Sequence, residues 1–316
     1  EFRIYERNDR TGIWDYKNLA DPLPALPQEA RQAKFIDLPI NDGSLSKLSR
    51  SLVMVSTIMP IPLDSINAEP RKASGLVIDA DRGYVIVSRR VVPHDCLDVF
   101  VTIADSIIIP ATVEFLHPTQ NYAIVKYDPS LVLAKVETPK LSCERLKRGD
   151  KAHFIGYTHN NRVVSSETNV TDISSLSIPS NVIPRYRATN LEAISIDCSV
   201  SYRCNSGILA DKDGTVRALW LSFLGERLED KEKIYLMGLD LADLQDIITI
   251  LKNGKRPRVN IVDAGFGSIS VLQARIRSVP EEWITRMENE CDSRLQFMNV
   301  TRVSYTEEKE KLLPGE

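Results

Sequence analysis

Cysteine is scarce in this sequence: 316 residues carry five, Cys96, Cys143, Cys198, Cys204 and Cys291. They are odd in number and widely scattered. A disulfide scaffold would show a denser, even set, so a reducing compartment is expected. No Cys-x-x-Cys pair and no Cys/His cluster has the spacing of a zinc site, and no metal or cofactor is expected. Aromatic residues make up only 7%, too few for a base-stacking surface to stand out. Forty basic against 43 acidic residues leave a net charge of −3, so nothing points to nucleic acid or a membrane surface as partner. The longest apolar stretch, Leu52 to Leu63, is interrupted by Ser56, Thr57, Pro60 and Pro62 and is too short to span a bilayer. No basic stretch followed by an apolar one opens the chain, so no signal peptide is expected. The start at Glu1 without methionine and the end at Pro314-Gly315-Glu316 read as a piece of a longer protein.

What is present is a long series of short β-rich runs. Residues 1–44 read as an irregular lead-in, with the proline-rich stretch Asp21–Ala30 as linker and Trp14, Tyr16 and Phe35 available to dock it. From Leu52 the runs Leu52–Met59, Gly75–Ala80, Tyr84–Ser88, Leu97–Ile103, Ile107–Leu116 and Tyr122–Tyr127 follow at regular spacing, separated by turn residues such as Asp81-Arg82-Gly83. A second set comprises Lys151–Thr158, Glu167–Ile173, Ala193–Val200, Thr215–Phe223 and Ile234–Leu239, with Asp213-Gly214 as a hairpin signal. Evenly spaced strands of this kind argue for an all-β antiparallel barrel or sandwich. The period then changes. Ala242–Lys255 places Leu244, Ile247, Ile248 and Leu251 on one helical face, and Asn253-Gly254 stops that helix. Beyond Arg258 a strand, a helix opened by Pro280 and a further strand begin a new unit.

Several segments, in order, resemble HtrA/DegP-type serine proteases. Ala73–Val92, ASGLVIDADRGYVIVSRRVV, is similar to the family's glycine-bearing strand, acidic turn and GY(V/I)LTN(N/H)HVV. Thr119–Asp128, TQNYAIVKYD, resembles TDLAVLKID, and Leu146–Thr158, LKRGDKAHFIGYT, resembles LRVGDWVLAIGNP. Cys204–Gly207, CNSG, resembles the nucleophile motif GNSGG. The resemblance runs from about Leu52 to Arg258. It implies a trypsin/chymotrypsin-like double β-barrel, the first barrel over 45–140 and the second with its C-terminal helix over 141–255. Residues 256–316 resemble the first part of a PDZ domain, with Asp263–Val271 at the carboxylate-binding loop and Lys311–Glu316 before a central strand.

Carried over residue by residue, the family's general-base histidine falls on Arg90, its orienting aspartate on Asn121 and its nucleophile on Ser206. Cys204 and Asn205 fall at the oxyanion-hole position, with Cys204 in place of a glycine and Ile208 directly after Gly207, one residue short of the motif. Serine is a weak nucleophile without an adjacent base. Arginine stays protonated at any working pH, and asparagine carries no charge to stabilise an imidazolium. Loss of a serine–histidine partnership costs about 10⁶ in turnover, or about 8 kcal/mol of barrier. His94 lies four residues beyond Arg90, further than the roughly 3 Å proton transfer requires. His117, His153 and His159 read as ordinary half-buried or surface histidines. Arg203 beside Cys204 offers a way to lower a thiol pKa, while Cys198 reads as packing in the second barrel.

The stretch from Asn260 onward, NIVDAGFGSISVLQARIRSVPEEWITRME, with LQFMNVTRVS after it, is similar to the fungal nuclear, pro-apoptotic HtrA-like serine proteases, built as two successive HtrA-like halves. This resemblance implies the second, degenerate half: a structural or regulatory module whose active site lies in the preceding repeat. Its implied partner is that active half, with peptide or protein substrates and oligomerisation left open. The implied residence is the nucleus, with the cytoplasm allowed. The alternative is a weak serine or cysteine endopeptidase using Ser206 with a non-standard base. Lys252–Arg258 reads either as a basic helix terminus complementing the helix dipole or as a nuclear import signal. Asn169 and Asn299 each open an Asn-Val-Thr glycosylation pattern, relevant only in a secreted protein.

Overall fold

Five-residue stretches such as Tyr84–Ser88, apolar on both faces, are stable only where both faces are covered, and this requirement organises the molecule. A computed structural model describes residues 3–7, 10–11, 14–18, 29–38, 40, 43–60, 69–158, 160–176, 178, 188, 190–228, 231–262, 264–290 and 296–303. In the lead-in, β1 (Arg3–Arg7) and β2 (Trp14–Asn18) pair antiparallel with Tyr5 opposite Tyr16, where the sequence reads as irregular. The side chains of Trp14 and Tyr16 lie outside the described residues, as do the prolines of the linker. Phe35 packs against the first barrel's core, and Arg31 is held by backbone hydrogen bonds to Leu131 and Leu133. The short helix α1 (Gly43–Ser46) and a 3-10 turn bury Leu45 and Leu48 and deliver the chain to the first barrel.

Strands β3 (Leu52–Ile58), β4 (Arg71–Asp79), β5 (Tyr84–Ser88), β6 (Asp98–Ile103), β7 (Ile107–Leu116) and β8 (Tyr122–Tyr127) close into a six-stranded antiparallel barrel in the order 3-4-5-8-7-6. Gly83 makes the β4–β5 turn at φ +72°; a Cβ there would lie 2.1 Å from the Tyr127 carbonyl oxygen, so no other residue fits without displacement. Strands β9 (Lys151–Thr158), β10 (Val163–Ser175), β11 (Glu192–Ile196), β12 (Cys204–Ala210), β13 (Val216–Leu228) and β14 (Lys231–Asp240) close a second barrel in the order 10-11-14-13-12-9.

The period of two divides these strands between two environments. Val77, Val85, Val87, Ala123 and Val125 point into the first barrel. Their neighbours Leu76, Ile78, Tyr84, Ile86, Tyr122 and Ile124 point out of it, into a layer shared with Ile155, Ile208, Leu219, Leu221 and Phe223 of the second. Phe154, Leu209, Ala218 and Trp220 fill the second barrel, and Cys198 lies there too. The largest apolar layer is therefore between the barrels, and the lead-in residues Leu38, Leu45 and Leu48 join it. The barrels are cemented face to face rather than tethered.

After β14, Asp240 caps the next turn by accepting from the Ala242 amide at 2.9 Å. A 3-10 turn, Leu241–Leu244, leads into α2 (Gln245–Lys252), whose Ile247, Ile248 and Leu251 are buried in the inter-barrel layer. Gly254 at φ +69° ends it by donating to the Leu251 carbonyl. The final unit pairs β15 (Ala264–Ser270) with β16 (Gln296–Val303). Between them lie α3 (Val271–Ile276) and α4 (Glu281–Glu290). The sequence reading continues β15 to Val271, but a capping box between Ser270 and Gln273 starts a helix there instead. Segment 311–316 lies outside the described residues.

The shared layer predicts a sharp contrast between two isoleucines. Ile86 is 1% exposed in it, whereas Ile108 on β7 is 50% exposed. Ile86→Ala is expected to cost about 2–5 kcal/mol and Ile108→Ala less than about 1 kcal/mol, measured by urea denaturation.

Candidate functional site

The seam between the barrels is where the motif residues converge, and each is placed by the strand that carries it. β5 ends at Ser88, and the chain turns immediately, with Val91 and Val92 both donating to the Ser88 carbonyl. Arg90 is thereby held, half-buried, just past the strand end; its amide donates to Ser88 Oγ at 3.1 Å, and its carbonyl accepts from Arg71 Nη1 at 3.2 Å. Asn121 precedes β8 and is buried; its Nδ2 donates to Ser88 Oγ at 3.2 Å and to the Ser222 carbonyl at 2.8 Å. Ser88 Oγ itself donates to the Ser222 carbonyl at 2.9 Å. Ser222 belongs to β13 of the second barrel, so this network ties barrel to barrel.

The structure thus brings Asn121 and the Arg90 backbone to one hydrogen-bonded cluster about Ser88. The charges there are the reverse of what proton abstraction needs. Arg90 supplies a cation with no acceptor lone pair. Asn121 is used as a donor to a carbonyl; a carboxylate oxygen at Nδ2 would face that carbonyl oxygen at the same 2.8 Å.

Ser206 is not displayed on a loop. Cys204–Ala210 is strand β12, laddered to β9 through Cys204 opposite Thr158 and Gly207 opposite Gly156. Between these pairs the ladder bulges: Asn205 and Ser206 together oppose Tyr157 alone. Ser206 is fully buried, and its Oγ donates to the Ser74 carbonyl of β4 at 3.1 Å. Ser74 Oγ returns a hydrogen bond to the Ser206 carbonyl at 3.0 Å and accepts from the Tyr157 amide at 3.3 Å. The backbones meet too closely for side chains: a Cβ on Gly207 would lie 2.4 Å from the Ile155 carbonyl oxygen, and one on Gly156 2.7 Å from that of Ser206. The expectation of Ser206 at the nucleophile position meets a hydroxyl directed into the barrel contact. The half-buried residue of the bulge is Asn205. The sequence departs from the motif next to this bulge, where Ile208 follows directly after Gly207.

Cys204 is a packing residue. It is 1% exposed in the second barrel's core, and burial, with Cys198 nearby, pushes its thiol up to about 11. Arg203 is exposed, and the thiol's shift is upward, opposite to activation. The backbone of Cys204 is engaged in the strand ladder rather than in an open turn.

Among the histidines, His153 is half-buried on β9, and His159 lies outside the described residues. His117 is the informative one. It is buried under Arg89, whose Nη1 donates to the His117 carbonyl at 2.8 Å. Its Nδ1 accepts from the amides of Thr119 at 3.3 Å and Gln120 at 2.9 Å, and its ring lies 5.0 Å from that of Tyr122. Burial, with the charge of Arg89 second, lowers it to about 4. Sequence reasoning classed it as ordinary; it forms the floor of the turn leading to Asn121.

Two closed antiparallel barrels with motif residues at their seam define the trypsin-like serine protease fold. No family model matches the chain. The chain is 73% identical over 316 residues to pro-apoptotic serine protease NMA111 of Eremothecium gossypii and 70% to that of Saccharomyces cerevisiae. It is 48% identical over 311 residues to that of Meyerozyma guilliermondii. All of the chain matches in the first two, but it covers only 32% of each, so it spans about a third of these relatives' length. Among solved structures, the HtrA-type protease AlgW with decapeptide superposes with TM-score 0.51 at 12% identity, over 82% of this chain and 78% of that one. The active form of the Rv3671c protease from M. tuberculosis gives TM-score 0.50 at 19% identity, over 77% and 97%. Over its whole length the chain is thus similar to a segment, about a third in length, of these pro-apoptotic serine proteases.

The His117 environment predicts a pH dependence with a definite sign. The folded state holds the ring neutral down to about 4, whereas the unfolded chain protonates near 6.5. The unfolded state therefore binds more protons between these values, so stability is complete above about 6.5 and falls as pH drops toward 4, by up to about 3 kcal/mol. Urea midpoints between pH 7.5 and 4 check this, and His117→Gln is expected to flatten that part of the profile.

Proposed function

We propose that this chain is a catalytically degenerate protease module that serves as a structural or regulatory half of a longer serine protease whose active site lies in a preceding repeat. The observation that carries the reading is the Ser206 hydroxyl, buried and donating to the Ser74 carbonyl, at a seam where the general-base position is Arg90. Nothing about that arrangement generates an alkoxide: the proton on Oγ is already engaged with a carbonyl oxygen, and the arginine at the general-base position cannot receive it. What the seam retains is the capacity to hold two barrels in one orientation.

A rigid two-barrel body with a docked lead-in is suited to packing against the active half, and that half is the proposed partner. The C-terminal strand–helix–helix–strand unit is in keeping with the first part of a PDZ domain. An apoptotic role for the whole protein accords with the names of its relatives, and nuclear residence rests on the sequence resemblance alone; both belong to this proposal. Lys252–Arg258, at the end of α2, is read here as the basic terminus of that helix rather than as an import signal.

The test is chemical. A fluorophosphonate probe added to the purified chain is expected to leave Ser206 unlabelled by mass spectrometry. In the full-length protein, Ser206→Ala is expected to change proteolysis less than twofold, while deletion of residues 45–253 impairs proteolysis or assembly. Stoichiometric labelling of Ser206, or loss of proteolysis in Ser206→Ala alone, would overturn the reading.

A further inference from the structure

The C-terminal unit meets the second barrel at one polar residue with an unusual backbone. Asn190, just before β11, has φ +55°, a left-handed conformation that asparagine tolerates better than most residues. Its side-chain amide reaches the outer edge of β15. Nδ2 donates to the Ala264 carbonyl at 2.6 Å, and Oδ1 accepts from the Phe266 amide at 2.8 Å. A strand residue in an antiparallel ladder offers its neighbour one donor and one acceptor in this same way. The primary amide copies both with a single side chain, so β15 is paired on one side by β16 and on the other, at Ala264 and Phe266, by one residue acting as a strand.

The surroundings leave this contact lightly held. Asn190 is exposed, and hydrogen bonds in contact with water contribute little net stability. The connection from α2 to β15 is irregular and largely solvent-facing, with Ile261 52% and Val262 60% exposed. Across the same interface, Ser175 Oγ touches Met298 Sδ at 4.0 Å, a weak contact. Inside the unit, the buried apolar residues among those described are Ala274, Ile284 and Val300, far fewer than in either barrel.

We propose that Asn190 is a latch: its side-chain amide holds the edge of β15, and with it the C-terminal unit, against the second barrel, and its release lets that unit swing away and uncovers the β15 edge. The inference is independent of whether the seam is catalytic and of how the C-terminal unit is classified. The residue type follows from the task. Glycine would adopt the backbone but offer no amide; other side chains would strain the backbone or lack the paired donor and acceptor.

Hydrogen exchange on the whole chain tests it. Asn190→Gly keeps the left-handed backbone and removes only the amide. It is expected to speed exchange of the Phe266 amide at least tenfold and to increase proteolytic nicking within 253–262, while Phe154 and Ile155 amides in the second barrel stay unchanged. Asn190→Asp adds a signature that a merely structural residue would not give. As a carboxylate it still accepts from Phe266 but sets an oxygen against the Ala264 carbonyl. As a carboxylic acid, below its pKa of about 4, it regains a donor and acceptor together. Relative to the unsubstituted chain at the same pH, Phe266 is expected to be deprotected in Asn190→Asp at pH 7 and reprotected at pH 3.5. Unchanged Phe266 exchange in Asn190→Gly would overturn the latch. So would equal loss of protection in the β9 amides, which would make the residue a general structural one.

Discussion

The reciprocal contact between Ser74 and Ser206 is the constraint on which the seam depends. Each hydroxyl donates to the other residue's carbonyl, at 3.0 and 3.1 Å, so β4 of one barrel and β12 of the other are joined by two side-chain-to-backbone bonds. The contact sits where β12 bulges against β9, and Gly156 and Gly207 have no side chains to hold β9 and β12 apart at that bulge. The Tyr157 amide, opposite the bulge, bonds to Ser74 Oγ instead of to β12. A buried amide without a partner would cost about 1–3 kcal/mol, so one serine hydroxyl satisfies the bulge and spans the seam at once.

A second clasp, Ser88 and Asn121 on the Ser222 carbonyl, sits on the same seam. The two clasps and the shared apolar layer of Ile86, Tyr122, Leu221 and Phe223 account for one rigid orientation of the barrels. They also bear on the proposed lack of catalysis. A working nucleophile must be held in a tense, partly unsatisfied state, whereas here the hydroxyl, the amide and the guanidinium-bearing turn are engaged in structural bonds. At the positions matched to the family's catalytic residues, Asn121 and Ser206 bond to carbonyls of the opposite barrel.

Much of this fold was legible in the sequence, for a physical reason. Tyr84–Ser88, Ile107–Leu116, Tyr122–Tyr127 and Lys151–Thr158 are observed at the residues read from sequence, because apolar runs bounded by turn residues have few other ways to be buried. The β1–β2 hairpin and α3 were missed. The first lies in a segment dominated by proline downstream, and the second is only six residues long, although Ser270 and Gln273 carried its capping signal. The site was less legible. Arg90 and Asn121 could be matched by residue identity, and their chemistry followed from residue type. Ser206 could not be oriented that way, since the bulge that directs its hydroxyl is set by the pairing of β12 with β9 and not by residue type alone. The Asn190 contact depends on two segments more than 70 positions apart, Asn190 with Ala264 and Phe266. No local pattern announces it.

The central claim is that the Ser206 hydroxyl is a structural clasp. Reactive serines sit in strained surroundings, and their removal commonly leaves stability unchanged or raised. A clasp behaves in the opposite sense. The most direct measurement is the urea-unfolding free energy of Ser206→Ala beside that of Asn205→Ala. The structure predicts a loss of about 1–3 kcal/mol for the first and less than about 1 kcal/mol for the second. A Ser206→Ala protein as stable as the parent, or more stable, would contradict it.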